Sequence, residues 1–261
     1  MRTEVSIGVP GALGPEAVRV LAPRMEAAGF AGLWVNDTPQ GDSLEVLAAA
    51  AEVTTHLRLA TGVVPIDRRP APELLRDLEE SGVPEARLTL GIGSGQLRRG
   101  AVDAVATALA ELRGGTATGV MVGALGPRMR RLAAEHSDGA LLSWLPASVA
   151  SQQAAELREA GRQAQGEAPR AVLYVRTIVD ESARPLLERE AAQYASYPAY
   201  AANFERLGFD AMDSTLPRDG VPLREAVATY DVDELVLRAI TPTGSVEDLL
   251  AFVDGAAAQL T

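Results

Sequence analysis

Four short stretches combine glycine, polar side chains and arginine in ways that suit a flat or anionic ligand. Gly123-Ala124-Leu125-Gly126-Pro127-Arg128-Met129 lies between an apolar run and an amphipathic one. Its glycines admit close backbone approach, Pro127 suits a first helical position, and a helix start offers unpaired N–H groups. With Arg128, Arg130 and Arg131 nearby this is either an anion cradle or a plain tight turn, for which the same residues serve. Leu90-Gly91-Ile92-Gly93-Ser94-Gly95-Gln96 puts alternate glycines at a strand end, where a ring or phosphate can reach the backbone. It lacks the complete Gly-x-Gly-x-x-Gly dinucleotide pattern. Gly32-Leu33-Trp34-Val35-Asn36-Asp37-Thr38 presents Asn36 and Asp37 just past a strand. Asp37 there either accepts a hydrogen bond from a ligand or closes its own loop as an Asx turn. Finally, Gly62 interrupts Ala60–Pro65, ahead of Arg68-Arg69-Pro70. Glycine in a buried strand marks a bulge or a ligand's close approach. The arginine pair either holds an anionic tail or forms a solvated turn.

Absences narrow the chemistry further. The chain has no cysteine, which excludes disulfides, thiolate catalysis and thiolate metal sites. All 24 basic residues are arginine, so no lysine Schiff base can form. Such a bias fits a GC-rich genome better than a functional demand. His56 and His136 are the only histidines, too few for a polyhistidine zinc site. A net charge of −11 argues against general nucleic-acid binding. Any anionic ligand must be held by a local cluster of arginines. No apolar run approaches the roughly 18 residues that span a bilayer, and Met1-Arg2-Thr3-Glu4 lacks a signal peptide's hydrophobic stretch. A cytoplasmic location is expected.

The elements that must position these motifs alternate regularly. Apolar runs rich in β-branched residues predict strands at Val5–Val9, Gly32–Val35, Leu57–Val64, Arg87–Ile92, Gly119–Gly123, Gly139–Ser143, Ala171–Val179 and Glu234–Ile240. Between them, helical periodicity covers Glu16–Ala28, Leu44–Thr55, Pro72–Ser81, Ala101–Leu112, Pro127–His136, Ser148–Ala164, Ser182–Leu207 (broken near Pro198) and Ser245–Ala258. Pro23 should kink the first, and Asp42 with Glu45 makes an acidic capping box for the second. Eight βα units without a composition break predict one α/β domain over residues 1–261, a (β/α)₈ TIM barrel, with an open doubly wound sheet as the competing architecture. In a barrel, chemistry sits in loops after the carboxyl ends of strands. That rule places both histidines at the opposite end, where a histidine caps a helix terminus.

In this order, the four motifs resemble the luciferase-like monooxygenase superfamily, closely over about residues 29–145 and more loosely elsewhere. The most specific parts are the Gly-Leu-Trp-Val-x-Asp strand and Gly-Ala-Leu-Gly-Pro-Arg-Met followed by Ser137-Asp138-Gly139-Ala140, which is similar to the methylenetetrahydromethanopterin reductase-like branch using coenzyme F420. The resemblance implies that Asp37 lies near a deazaflavin or isoalloxazine ring. It implies a cis peptide at Gly62–Val63 behind that ring, with Val63 directed towards it. It assigns Gly93, Ser94, Gly95 and Gln96 to the ring and ribityl loop, and Ala124, Leu125, Gly126 and Ser143 to the ribityl-phosphate end.

Departures from the family pattern matter as well. Thr38 stands where many relatives have histidine, and Gln96 where the glucose-6-phosphate dehydrogenase branch has glutamate. That branch's phosphate-holding lysines are absent, which sets its substrate aside. The insertion after the fourth predicted strand is reduced to Leu97-Arg98-Arg99-Gly100, so another cover is needed. The candidate is Ser182–Pro222, with Tyr194, Tyr197, Tyr200, Phe204 and Phe209; its aromatic stripe either packs on the barrel or a partner, or forms a lid. The resemblance implies an oxidoreductase moving hydride between F420 and a small organic substrate, and a homodimer is expected. Its rivals are an FMN-dependent monooxygenase supplied with reduced flavin, and a non-catalytic flavin-binding protein. For the proton, Asp37, Gln96 with a water, and a tyrosine of the 194–200 cluster all stand as candidates.

Overall fold

The computed structural model describes residues 3–217 and 220–261. Its strands are β1 (Glu4–Pro10), β2 (Gly32–Asn36), β3 (Arg58–Thr61), β4 (Val64–Pro65), β5 (Leu88–Gly93), β6 (Gly119–Gly123), β7 (Gly139–Ser143), β8 (Arg170–Thr177) and β9 (Glu234–Ala239). All neighbours are parallel, in the order β3-β2-β1-β9-β8-β7-β6-β5-β4, and β3 also pairs with β5 to close the sheet. Because β3 and β4 are two halves of one stave, the result is an eight-staved TIM barrel, as the alternating runs predict.

Helices cover the outside: α1 (Pro15–Ala27), α2 (Ser43–Val53), α3 (Ala71–Ser81), α4 (Ala101–Gly115), α5 (Pro127–His136), α6 (Ala147–Gln165), α7 (Arg184–Ser196), α8 (Pro198–Leu207), α9 (Leu223–Ala228) and α10 (Val246–Leu260). The expected helix 182–207 divides at Pro198, because Tyr197 is held extended as the residue before a proline. Pro23 lies inside α1 without ending it. Of the capping box expected at α2, Asp42 supplies its half, accepting the Leu44 N–H at 2.8 Å. The expected strand 57–64 is interrupted at Gly62 and Val63, and α9 has no counterpart among the expected helices.

Strand alternation sorts the apolar residues into two compartments. Outward-facing Ile7, Leu33, Leu59, Leu90, Val122, Leu142, Leu173 and Leu235 pack under the helices. Inward-facing Trp34, Ala60, Met121, Leu141, Val172, Tyr174 and Val236 fill the barrel itself. Among the described residues, no helix is long and apolar enough to cross a membrane.

The amino-terminal end is closed by a polar plug. Buried Glu234 accepts hydrogen bonds from Trp34 Nε1 at 2.7 Å, Ser6 Oγ at 2.5 Å and Arg170 Nη2 at 2.9 Å. Arg58 lies 3.4 Å away, and Glu4 pairs with both arginines, at 2.6 and 3.0 Å. Two carboxylates thus meet two guanidiniums. Replacing Glu234 by Ala strands buried donors of Ser6 and Trp34 and unbalances the arginines. Urea denaturation should show a loss of about 3 kcal/mol.

Glu26 organises the same end from outside. Its carboxylate accepts the N–H groups of His56 at 2.6 Å, Leu57 at 2.8 Å and Thr55 at 2.9 Å. The His56 N–H foremost, then those of Leu57 and Thr55, hold its pKa below the ordinary carboxylate value. A lowered folded-state pKa favours the ionised form in the native chain. The stabilisation is therefore complete above the unfolded pKa and is lost as pH falls through the folded one. Melting curves of Glu26→Gln should accordingly show a shallower acid limb than those of the parent.

Candidate functional site

The inward positions two residues beyond the apolar plug define the carboxyl-terminal mouth. Continuing each stave's alternation places Asn36 on β2, Gly62 after β3, Gly93 on β5, Gly123 on β6, Ser143 on β7, Arg176 on β8 and Arg238 on β9. The mouth therefore has glycines on one side and guanidiniums on the other.

On the glycine side the Gly62–Val63 peptide is cis, as the family resemblance implies. Asn36 Nδ2 donates to the Gly62 carbonyl. Gly62 sits against the Tyr174 ring, and a Cβ there would lie 2.8 Å from Cζ. The side chain of Val63 rests on two other glycines: a Cβ on Gly93 would meet it at 2.7 Å and one on Gly123 at 3.0 Å. Alternate glycines were expected to bring a ring to the backbone. In the structure the bare faces of Gly93 and Gly123 receive Val63, which is itself half-buried.

The next loop is held by a residue that sequence reasoning passed over. Asp67 Oδ2 accepts the Gln96 N–H at 2.7 Å, and its carboxylate occupies the space a Cβ on Gly95 would need. Gly95 also has φ +59°, so glycine is required there twice over. Ser94 is half-buried, whereas Gln96 is exposed.

Asp37 is committed to the protein. Its buried carboxylate accepts from Ser43 Oγ at 2.8 Å and Ser43 N at 3.2 Å, and pairs with Arg68 and, at 3.6 Å, with Arg69. Arg69 also reaches Asp42 and, at 3.2 Å, Asp77. Loop closure is thus the role the geometry displays for Asp37. Arg68 and Arg69 bind these carboxylates, in place of the anionic tail considered above. Near them, Asn36 Oδ1 and Thr38 Oγ1 are buried with no hydrogen-bond partner among the described residues.

At the start of α5, Ala124 contributes no free N–H group. Its N–H is already donated to the Leu141 carbonyl at 3.0 Å, and its side chain is buried. The N–H groups of Leu125 and Gly126 have no acceptor among the described residues. A Cβ on Gly126 would meet open space at φ −100°, so neither packing nor backbone conformation demands glycine there. Two of the nearby arginines have partners within the chain. Arg130 braces the Leu125 carbonyl at 3.3 Å, and Arg131 pairs with Glu135 at 2.8 Å on the exposed side.

On the charged side, Arg176 donates from Nη1 to Ser143 Oγ at 2.7 Å and from Nε to Glu190 at 2.9 Å. Its guanidinium carbon lies 4.2 Å from the Trp144 ring centroid and 4.7 Å from that of Tyr194. Trp144 is buried in a left-handed conformation, φ +56°, which costs a bulky L-residue about 1–2 kcal/mol. The aromatic stripe of α7 and α8 packs on it: Tyr194 stands 4.8 Å from Trp144 and 4.9 Å from Tyr200, and Phe204 joins both. Burial pushes the Tyr200 hydroxyl up to about 12, so it rests protonated near neutrality. The aromatics of α7 and α8 therefore pack against their own barrel, walling one side of the mouth.

Asp67, Trp144, Tyr174, Arg176, Glu190 and Arg238 are the residues that the motifs missed, whereas Asn36 stood in one of them. For the two strand arginines a signal did exist, since each is a charge placed on the inward phase of a buried strand.

A closed parallel barrel whose mouth is built from strand-end glycines and polar side chains defines a class of small-molecule enzymes and binders. The luciferase-like monooxygenase family profile matches residues 3–98 and 94–259, and the chain belongs to that family. Comparison with curated proteins finds no match. Among solved structures it is similar to an F420-dependent secondary alcohol dehydrogenase in complex with an F420-acetone adduct (TM-score 0.75, 13% identity, 100% of each chain covered). It is also similar to the coenzyme F420 dependent tetrahydromethanopterin reductase of Methanopyrus kandleri (TM-score 0.70, 14% identity, 100% of each chain). A third is the monooxygenase RslO1 of Streptomyces bottropensis (TM-score 0.69, 16% identity, 99% of this chain and 98% of that one).

Both histidines lie away from this mouth, His136 as the last residue of α5 and His56 in the turn before β3. The double replacement of His56 and His136 by Gln should leave ligand affinity unchanged. Any cost should appear only as a lower melting temperature.

Proposed function

We propose that the chain is an oxidoreductase that moves hydride between coenzyme F420 and a small organic substrate at the barrel's carboxyl-terminal mouth. Family membership and the two F420-dependent neighbours support this reading. The observation that carries it is Gly126, a glycine required by nothing within the chain, beside N–H groups that lack acceptors. A phosphate at a helix start needs that arrangement. The residues present fit such a coenzyme. Leu125 and Gly126 would hold its phosphate end, and Val63, carried on Gly93 and Gly123, would back its ring. Asn36 and Thr38 offer buried oxygens without partners.

The coenzyme, when bound, supplies the hydride chemistry. The chain's own work is positional. Asn36 is fixed by the Gly62 carbonyl, so that its Oδ1 is presented at a constant place. Asp67 holds the Ser94–Gln96 loop, and the α7–α8 aromatics exclude water from one side. Asp37 contributes by holding its loop through Arg68 and Ser43, and Asp37, Gln96 with a water, and a tyrosine of the 194–200 cluster all remain candidates for the proton. The proposal includes a homodimer in the cytoplasm.

The second reading, an FMN-dependent monooxygenase, is favoured by the likeness to RslO1. Fluorescence titration separates the two, with tighter binding of F420 than of FMN expected and the reverse order deciding for the monooxygenase. Gly126→Asp should weaken coenzyme binding by more than about 1.4 kcal/mol, or tenfold. Unchanged affinity in a folded variant would remove this loop from the site.

A further inference from the structure

The charged side of the mouth carries one positive charge too many. Arg176 and Arg238 are register partners on β8 and β9, both on the inward phase of their strands. Like charges directly opposite on neighbouring strands repel each other. The carboxylate that meets them is Glu190, bonded to Arg176 and attracting Arg238 from further away. Two guanidiniums against one carboxylate leave a net charge of about +1. At the opposite end of the same barrel, Arg58 and Arg170 are matched by Glu4 and Glu234.

Hydrogen bonding shows the same imbalance. The one bond that Arg238 makes among the described residues runs from Nη1 to the Ala239 carbonyl at 2.5 Å, leaving Nε and Nη2 of this half-buried side chain without acceptors in the protein. Nη2 of Arg176 has none either. Two buried groups nearby, Nε1 of Trp144, whose ring lies against Arg176, and Oη of Tyr174, which feels the charge of both arginines, also lack partners. Burial above all, and the charge of Arg176, hold the Arg238 guanidinium below its ordinary pKa, while Glu190 acts in the opposite sense. The site collects donors and is short of acceptors. An oxyanion would supply them, with two guanidinium forks of suitable geometry.

We propose that Arg238 and Arg176 form the subsite for the anionic group of the substrate, a small organic monoanion of the carboxylate or sulfonate class. One negative charge neutralises the excess, and the Trp144 and Tyr194 rings offer an apolar wall for the organic body. Arg238 is the contact residue. Arg176, clamped by Glu190, Ser143 and the two rings, is the second fork of the subsite. Calling the bound anion a substrate rests on the oxidoreductase reading; the anion site itself does not.

The test is a calorimetric titration of the full chain with benzoate, benzenesulfonate and neutral benzamide, with and without saturating F420. Wild type should bind at least one of the two anions about tenfold or more tighter than benzamide. Arg238→Met should lose that preference by about tenfold, Arg238→Lys should restore part of it, and F420 affinity should stay at the wild-type level in both. Because Arg238→Met also relieves the repulsion, its melting temperature should match or exceed the parent's. Equal binding of anion and amide by wild type overturns the proposal without recourse to any variant. So does anion affinity unchanged in Arg238→Met, or anions that compete with F420, which would assign the arginines to the coenzyme. If F420 fails to bind while anion selectivity persists, the oxidoreductase reading falls and the anion site stands.

Discussion

A closed barrel of parallel strands imposes a period of two on everything inside it. Each stave sends alternate residues into a space that must be filled in layers, and the neighbouring residues go to the helices. In this chain the middle layers are filled by Trp34, Ala60, Met121, Leu141, Val172, Tyr174 and Val236. The character of each end then follows from what stands two residues earlier or later. Below lie Glu234, Arg58 and Arg170; above lie Asn36, Gly62, Gly93, Gly123, Ser143, Arg176 and Arg238.

The two ends use the same residue types to opposite effect. At the amino-terminal end carboxylates and guanidiniums are equal in number, and Glu234 takes donors from Trp34 and Ser6 as well. That end is electrostatically complete and serves stability. At the mouth, two arginines share one carboxylate, Trp144 is held in a left-handed conformation, and several buried polar atoms are unpaired. Features that cost stability gather where a ligand can compensate for them. A cleft of about 910 Å³ bordered by Phe30, Tyr230 and Arg224 opens at the amino-terminal end, but it meets none of the mouth residues.

Glycine plays two different parts around the mouth. Gly62, Gly93 and Gly123 are bare because other side chains of the barrel, Tyr174 and Val63, occupy the space beside them. Gly126 is bare although nothing in the chain approaches it. The first group shapes a wall from within. Gly126 leaves room for something outside the protein, which is why it carries more weight for ligand binding than the more conspicuous Gly-x-Gly pattern.

Much of the architecture was legible in the residues themselves. Eight apolar runs, spaced by amphipathic segments, were enough for a parallel barrel, since the pattern reflects burial of both sheet faces. The break at Pro198 and the helix start at Pro127 follow from proline's local geometry. Local sequence also carried the motifs that mark the family. Partnership was another matter. Asp37 reads equally as a ligand acceptor or a loop closer until Ser43 and Arg68 are seen to engage it, and the Ala124 N–H reads as available until it is found on Leu141. Arg176 and Arg238 stand far apart along the chain and become neighbours only through the register of β8 against β9. Phase along one strand is a local property, so the sequence by itself determined which residues face inward. Which inward residues meet, and whether their charges balance, depends on barrel closure and strand register, and only the tertiary structure decided that.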